Sequence, residues 1–138
     1  MENRRQFLLA AAAAMAGGAA APAFAKLADG VSGPATAKET HEYPFGVHKI
    51  FVQGPTDMLR FMESGSLALE PGMEPHPPHR HPEEEFLLVA EGEGEISVEG
   101  EITKVGPGSL MYTGGDRLHG ILNTGAKPLL FYYFKWAK

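Results

Sequence analysis

From about residue 42 onward, apolar and polar positions change places over short runs. No window sustains the recurrence of an amphipathic helix. His48-Lys-Ile-Phe-Val-Gln is rich in strand formers and stops at Gly54-Pro55. Leu59, Phe61, Leu67 and Leu69 share one parity, and Ser64-Gly65-Ser66 between them predicts a bulge or bend. After a turn at Pro71-Gly72 and a proline-rich segment, the run from Glu85 to Ala90 is apolar on both parities. Glu95-Ile-Ser-Val-Glu alternates cleanly, Gly100 reverses the chain, and Gly106-Pro107-Gly108, Gly114-Gly115-Asp116 and Thr124-Gly125 punctuate the remaining residues. Eight or so short strands at this spacing predict an all-β fold, an antiparallel sandwich or barrel. The last run, Pro128 to Trp136, is apolar and aromatic on both parities. That pattern suits a central strand buried on both faces, or one whose outer face joins a homodimer.

The N-terminus reads as an address. Arg4-Arg5 precede Phe7-Leu8-Leu9 and an alanine-rich stretch, and Ala23-Phe24-Ala25 offers a small-x-small cleavage pattern. The arrangement resembles a twin-arginine export signal. The expected organisation is a signal over 1–25, a flexible linker over 26–44 and a β-barrel domain over 45–138, with the mature protein periplasmic or secreted. Gly17-Gly18 interrupts the weakly hydrophobic alanines, so no stable membrane span is expected after cleavage.

Composition narrows the chemistry. The formal charge is −5 with no basic stripe, which argues against nucleic acid as a partner. There is no Cys, so thiolate metal sites, disulfides and thiol catalysis are excluded. Any metal must be held by imidazole and carboxylate.

Such ligands gather in Gly72 to Gly92. His79 and His81, at i and i+2, point to one side of an extended chain, and Glu85 returns to that side. Pro75, Pro77, Pro78 and Pro82 stiffen the backbone that carries them. Glu83 and Glu84 compete with Glu85 for the inward position, and Glu84 has the opposite parity. His76 is a loop residue at the wrong spacing, and His41 and His48 are read as surface or satisfied core histidines. His119 comes on a later strand. Asn123 is expected to bond a turn carbonyl or a ligand imidazole.

The spacing Gly72-x6-His79-x-His81-x3-Glu85-x6-Gly92 resembles the first motif of the cupin superfamily, with one residue more than usual in the first gap. Gly108 to Gly125, with His119 and Asn123, resembles the second. It departs at Ser109, Gly114 and Asp116, where the family often has Asp, Pro and Gly. Asp tolerates left-handed backbone, so the turn at Asp116 should survive. The resemblance implies a small single-domain cupin: a jelly-roll-like barrel, or double-stranded β-helix, holding one divalent ion through His79, His81, Glu85 and His119. Fe or Mn is favoured, because loading before twin-arginine export admits weaker binders; Zn, Ni and Cu are the alternatives. Three imidazoles and a carboxylate leave coordination positions open for a small-molecule substrate. Leu87, Val89, Met111, Ile121 and Phe61 are expected around the cavity. Arg60, Tyr112, Arg117, Tyr132 and Tyr133 stand at no telling spacing for acid–base work. An apolar cavity favours an oxidoreductase of the dioxygenase or oxidase kind, with Glu85 as base. The alternatives are a non-catalytic binding module and a germin-like Mn enzyme.

Overall fold

The computed structural model describes residues 23–138. The signal expected over 1–25 therefore lies, up to residue 22, outside the described residues. Among the described residues, nine strands come after a short 3-10 turn at Pro34–Thr36: β1 Glu39–Tyr43, β2 Gly46–Gly54, β3 Phe61–Leu69, β4 Glu84–Glu91, β5 Gly94–Val98, β6 Glu101–Val105, β7 Leu110–Thr113, β8 His119–Asn123 and β9 Leu129–Ala137. Every pairing among them is antiparallel. A six-stranded sheet runs β1-β2-β3-β9-β4-β7, and a three-stranded sheet runs β6-β5-β8. Strand β1 falls inside the stretch expected to be a linker. It pairs along its whole length with β2, so ordered structure begins before residue 45.

The turn chemistry explains the register. Glu99 and Gly100 both have positive φ, 50° and 83°. They form the two-residue reversal that matches the twist of the flanking strands, with Val98 opposite Glu101. Asp116 sits at φ 59°, the left-handed turn position anticipated for it. The bulge expected at Ser64-Gly65-Ser66 lies on the partner strand instead. Strand β3 pairs with β9 without a shift, while the register slips between Ile50 and Val52 of β2, opposite Gly65 and Ser64. The small residues of β3 accommodate the irregularity without containing it.

The inner faces of the two sheets meet over Leu67, Leu69, Leu87, Val89, Met111, Leu129 and Phe131 from the large sheet and Ile96 and Ile121 from the small one. Burying each such side chain contributes about 1.5–3 kcal/mol. Strand β4 alternates here, with Leu87 and Val89 inward and Phe86 and Leu88 partly exposed. Strand β9 lies centrally, between β3 and β4, one of the two arrangements its apolar pattern allows. Its outward Phe134 shares an exposed apolar face with Phe86, Leu88, Leu110 and Tyr112.

Asn123 is fully buried and serves as a clamp. Its Nδ2 donates to the carbonyls of Leu69 and Lys127, both at 2.9 Å, and its Oδ1 accepts from the Gly125 amide at 2.9 Å. This fixes the end of β8 against β3 and the following turn. The expected role as a bonder of turn carbonyls is the one it fills.

Candidate metal centre

His79 and His81 sit on the proline-rich segment before β4, Glu85 near the start of β4, and His119 at the start of β8. A two-way backbone bridge holds the segments together: the His79 amide donates to the His119 carbonyl at 2.9 Å, and the His119 amide donates back at 3.0 Å. The His81 carbonyl accepts from the Asp116 amide at 2.7 Å. Prolines that cannot donate and a loop held at two points place the imidazoles with little freedom left.

His79, His81 and His119 each bring a ligand nitrogen within 4.8 Å of the others, a group that could hold a metal ion. The rings stand nearly perpendicular to one another, at 75° to 86°, with centroids 4.8 to 5.2 Å apart. The carboxylate of Glu85 joins them, with Oε2 2.9 Å from Nε2 of His81 and 3.0 Å from Nε2 of His119.

The outer nitrogens decide what the inner ones can do. Nδ1 of His119 lies 2.9 Å from the carbonyl of Arg117, and Nδ1 of His81 lies 3.1 Å from the carbonyl of Glu83. A carbonyl only accepts, so both Nδ1 atoms carry hydrogen; each Nε2 then faces Glu85 with a lone pair when its ring is neutral and as a donor when its ring is charged. With both rings neutral, two lone pairs and a carboxylate oxygen would face one another. Such a set demands positive charge, either protons or a cation, and its imidazole–carboxylate chemistry fits a borderline divalent ion.

The electrostatics agree. Burial alone would push the Glu85 carboxyl up, but hydrogen bonds from His119 and His81 hold it at about 2. Burial likewise works against a charged His81, yet Glu83 and Glu85 together lift it to about 9. His79 is held down at about 3 by burial first and by the neighbouring imidazoles next. The metal-free centre thus holds a proton on the His81 side that an incoming ion must displace.

The three consecutive glutamates do different work. Glu83 sets a carboxylate oxygen 3.3 Å from Nδ1 of His81, backing that ring from behind. Glu84 faces outward and accepts from Trp136 Nε1 and Tyr112 Oη, both at 2.8 Å. Glu85 reaches His81 and His119 from inside but stands outside the three-histidine group that could hold an ion. His76 stacks on His79 with centroids 3.7 Å apart and stands outside the three-histidine group.

The surroundings correct the expectation of an apolar cavity poor in acid–base groups. Leu87, Val89, Met111 and Ile121 are buried in the core, and Phe61 is half-buried. Beside them the inner face of the large sheet carries a polar cluster. Tyr133 Oη lies 2.8 Å from His48 Nε2 and donates to Glu63 Oε1 at 2.9 Å. Gln53 Nε2 donates to Glu63 Oε2 at 2.5 Å, and Lys135 Nζ lies 3.2 Å from Glu63 Oε1. Tyr133 crosses directly over Gly65, where a Cβ would come within 2.8 Å of Oη and 2.2 Å of the Lys49 carbonyl oxygen. Parity was the available signal: Glu63 shares a face with Phe61 and Leu67, and Lys135 with Tyr133 and Phe131. Tyr112 is exposed on the outer face, and Arg60 and Arg117 are exposed.

Two facing antiparallel sheets, with a three-histidine group that could hold a metal ion, define the architecture. The cupin domain model matches residues 65–134, and the chain belongs to that family. Among solved structures, it is similar to an RmlC-like cupin from Shewanella frigidimarina, 15% identical with a TM-score of 0.63, over 80% of this chain and 93% of that one. It is similar to KdgF from Halomonas sp., 20% identical with a TM-score of 0.60, over 72% and 87% of the two chains. A Cupin 2 conserved barrel domain protein from Salinispora arenicola is 17% identical with a TM-score of 0.58, over 71% and 81%. At these identities the likeness concerns the fold. No curated protein matches the sequence. Among the described residues no helix is long and apolar enough to cross a membrane.

Proposed function

We propose that this chain is an exported cupin that binds one divalent ion through His79, His81, His119 and Glu85 and, with it, oxidises a small organic molecule. The observation that carries the proposal is the convergence of three histidine nitrogens, with the Glu85 carboxylate against two of them, while the Nδ1 atoms of both His81 and His119 are engaged by backbone carbonyls. Fold alone does not give function; the donor set does the arguing. Bound there, the ion would supply Lewis acidity and, as Fe or Mn, one-electron chemistry. The protein's part is to orient and to hold protons. Glu83 keeps the His81 ring turned so that Nε2 faces inward. Glu85, kept ionised, can accept a proton at Oε2. The buried Leu87 and Met111 limit water behind the centre. Export rests on the twin-arginine pattern at Arg4-Arg5 and accounts for a preference for Fe or Mn, loaded before translocation.

Elemental analysis of protein purified after native export, followed by O₂ uptake against flavonol, diketone and phenolic substrates, tests this. Fe or Mn with uptake that Glu85→Ala removes is the expected result. Zn or no metal, with no uptake in any loaded form, refutes it. A second reading, metal-assisted acid–base conversion, is favoured by the Glu63–Tyr133–His48 cluster beside the centre. It predicts product under strictly anaerobic conditions. Tight binding without any product would mark a binding module, and superoxide dismutation by the Mn form a germin-like role.

A further inference from the structure

Glu85 does not stand alone on its row. Across the large sheet, Glu63 of β3, Lys135 of β9, Glu85 of β4 and Thr113 of β7 are successive cross-strand partners. Direct partners in antiparallel strands project to the same face, about 5 Å apart between neighbours. The row is inward: Glu63, Glu85 and Thr113 are all buried. Two of its members have unused hydrogen-bonding capacity. Lys135 carries three N–H donors, and its one carboxylate partner, Glu63 Oε1, already accepts from Tyr133. Its side chain is 30% exposed, against 12% for Glu85. Thr113 is 2% exposed, and its Oγ1 has no hydrogen-bond partner. A buried hydroxyl left unpaired is costly, and such orphans mark places where a ligand or water completes the structure.

A cation with free donors on one side of Glu85 and an orphaned hydroxyl on the other describe a receptor for negatively charged oxygen. We propose that Lys135 and Thr113 anchor the substrate of this centre, and that the substrate is a small oxyanion, a carboxylate or enolate, with Lys135 as its ion-pair partner. The proposal rests on the reading of the three histidines and Glu85 as a metal centre and adds the charge class of what that centre takes up.

The test uses the full chain loaded with Co²⁺, whose visible bands report on its ligands. Acetate and its neutral isostere acetamide are titrated in. Acetate should shift the bands saturably, and acetamide should not. Lys135→Met alone strands the buried Glu63 carboxylate, so the informative variant is Glu63→Gln/Lys135→Met, which removes both charges together, with thermal melts to verify folding. Calorimetry should find its Co²⁺ affinity within about twofold of wild type while acetate affinity drops about tenfold, the usual scale for one charge-assisted hydrogen bond. Lys135→Arg should retain acetate binding, and Thr113→Val should weaken it. Equal acetate affinity in the double variant, or acetamide binding as well as acetate, overturns the proposal while leaving the metal centre standing. Failure of wild-type protein to bind Co²⁺ removes the metal reading itself, a separate and recognisable result.

Discussion

Substituting Glu85 by Gln in chelator-treated protein isolates the charge at the heart of the centre. The Glu85 carboxyl falls from an ordinary 4.5 to about 2, and His81 climbs from an ordinary 6.5 to about 9. Each displacement is worth about 3 kcal/mol at roughly 1.4 kcal/mol per tenfold change. Both describe the same contact in large part, so the figure counts once. A carboxylate held below its unfolded value stabilises the fold above pH 4.5, and that contribution fades as pH drops toward 2. An imidazole raised above its unfolded value stabilises below pH 6.5, and that contribution fades as pH rises through 9. Wild-type stability should therefore be highest between these limits and lose about 3 kcal/mol from pH 6.5 to 9. The Glu85→Gln variant keeps Glu83 behind His81 and should lose less than half as much. Urea unfolding at several pH values, with chelator throughout, measures both profiles. Parallel profiles between pH 6.5 and 9 would refute the pairing of Glu85 with a charged His81.

Glu83→Ala removes the carboxylate behind His81 and should weaken divalent-metal affinity about 10- to 100-fold by calorimetry, the usual range for an outer partner of a ligand histidine. Asn123→Ala strands two carbonyls and an amide and should cost about 3 kcal/mol in urea unfolding, near 1 kcal/mol for each lost bond. Gly65→Ala sets a methyl group against a backbone oxygen that cannot withdraw and against Tyr133; thermal melts should show a loss of about 3 kcal/mol, the upper range for overpacking.

Much of the fold was legible in the sequence because period and punctuation are local properties. Alternation in β5, the reversal at Glu99-Gly100 and the tolerance of Asp116 for left-handed backbone depend on a few neighbouring residues. The three histidines that could hold an ion were legible because His79 and His81 share parity and the second motif supplied His119. The features that escaped depend on contacts distant in the chain. Strand β1 has little apolar patterning of its own and is ordered by its pairing with β2. The inward Glu63 and Lys135 broke the rule that charged residues face water, and only each other's presence, with Tyr133 and Gln53, makes their burial tolerable. The bulge lies in β2 rather than β3 because small residues signal only permissiveness, and the extra residue sits opposite them.

The paired amide–carbonyl bonds between His79 and His119 join two stretches of chain forty residues apart without calling on either imidazole. The geometry of the centre is then a property of the main chain. An ion bound there would spend little of its affinity on gathering distant ligands. Mutating a single ring should leave this main-chain frame in place.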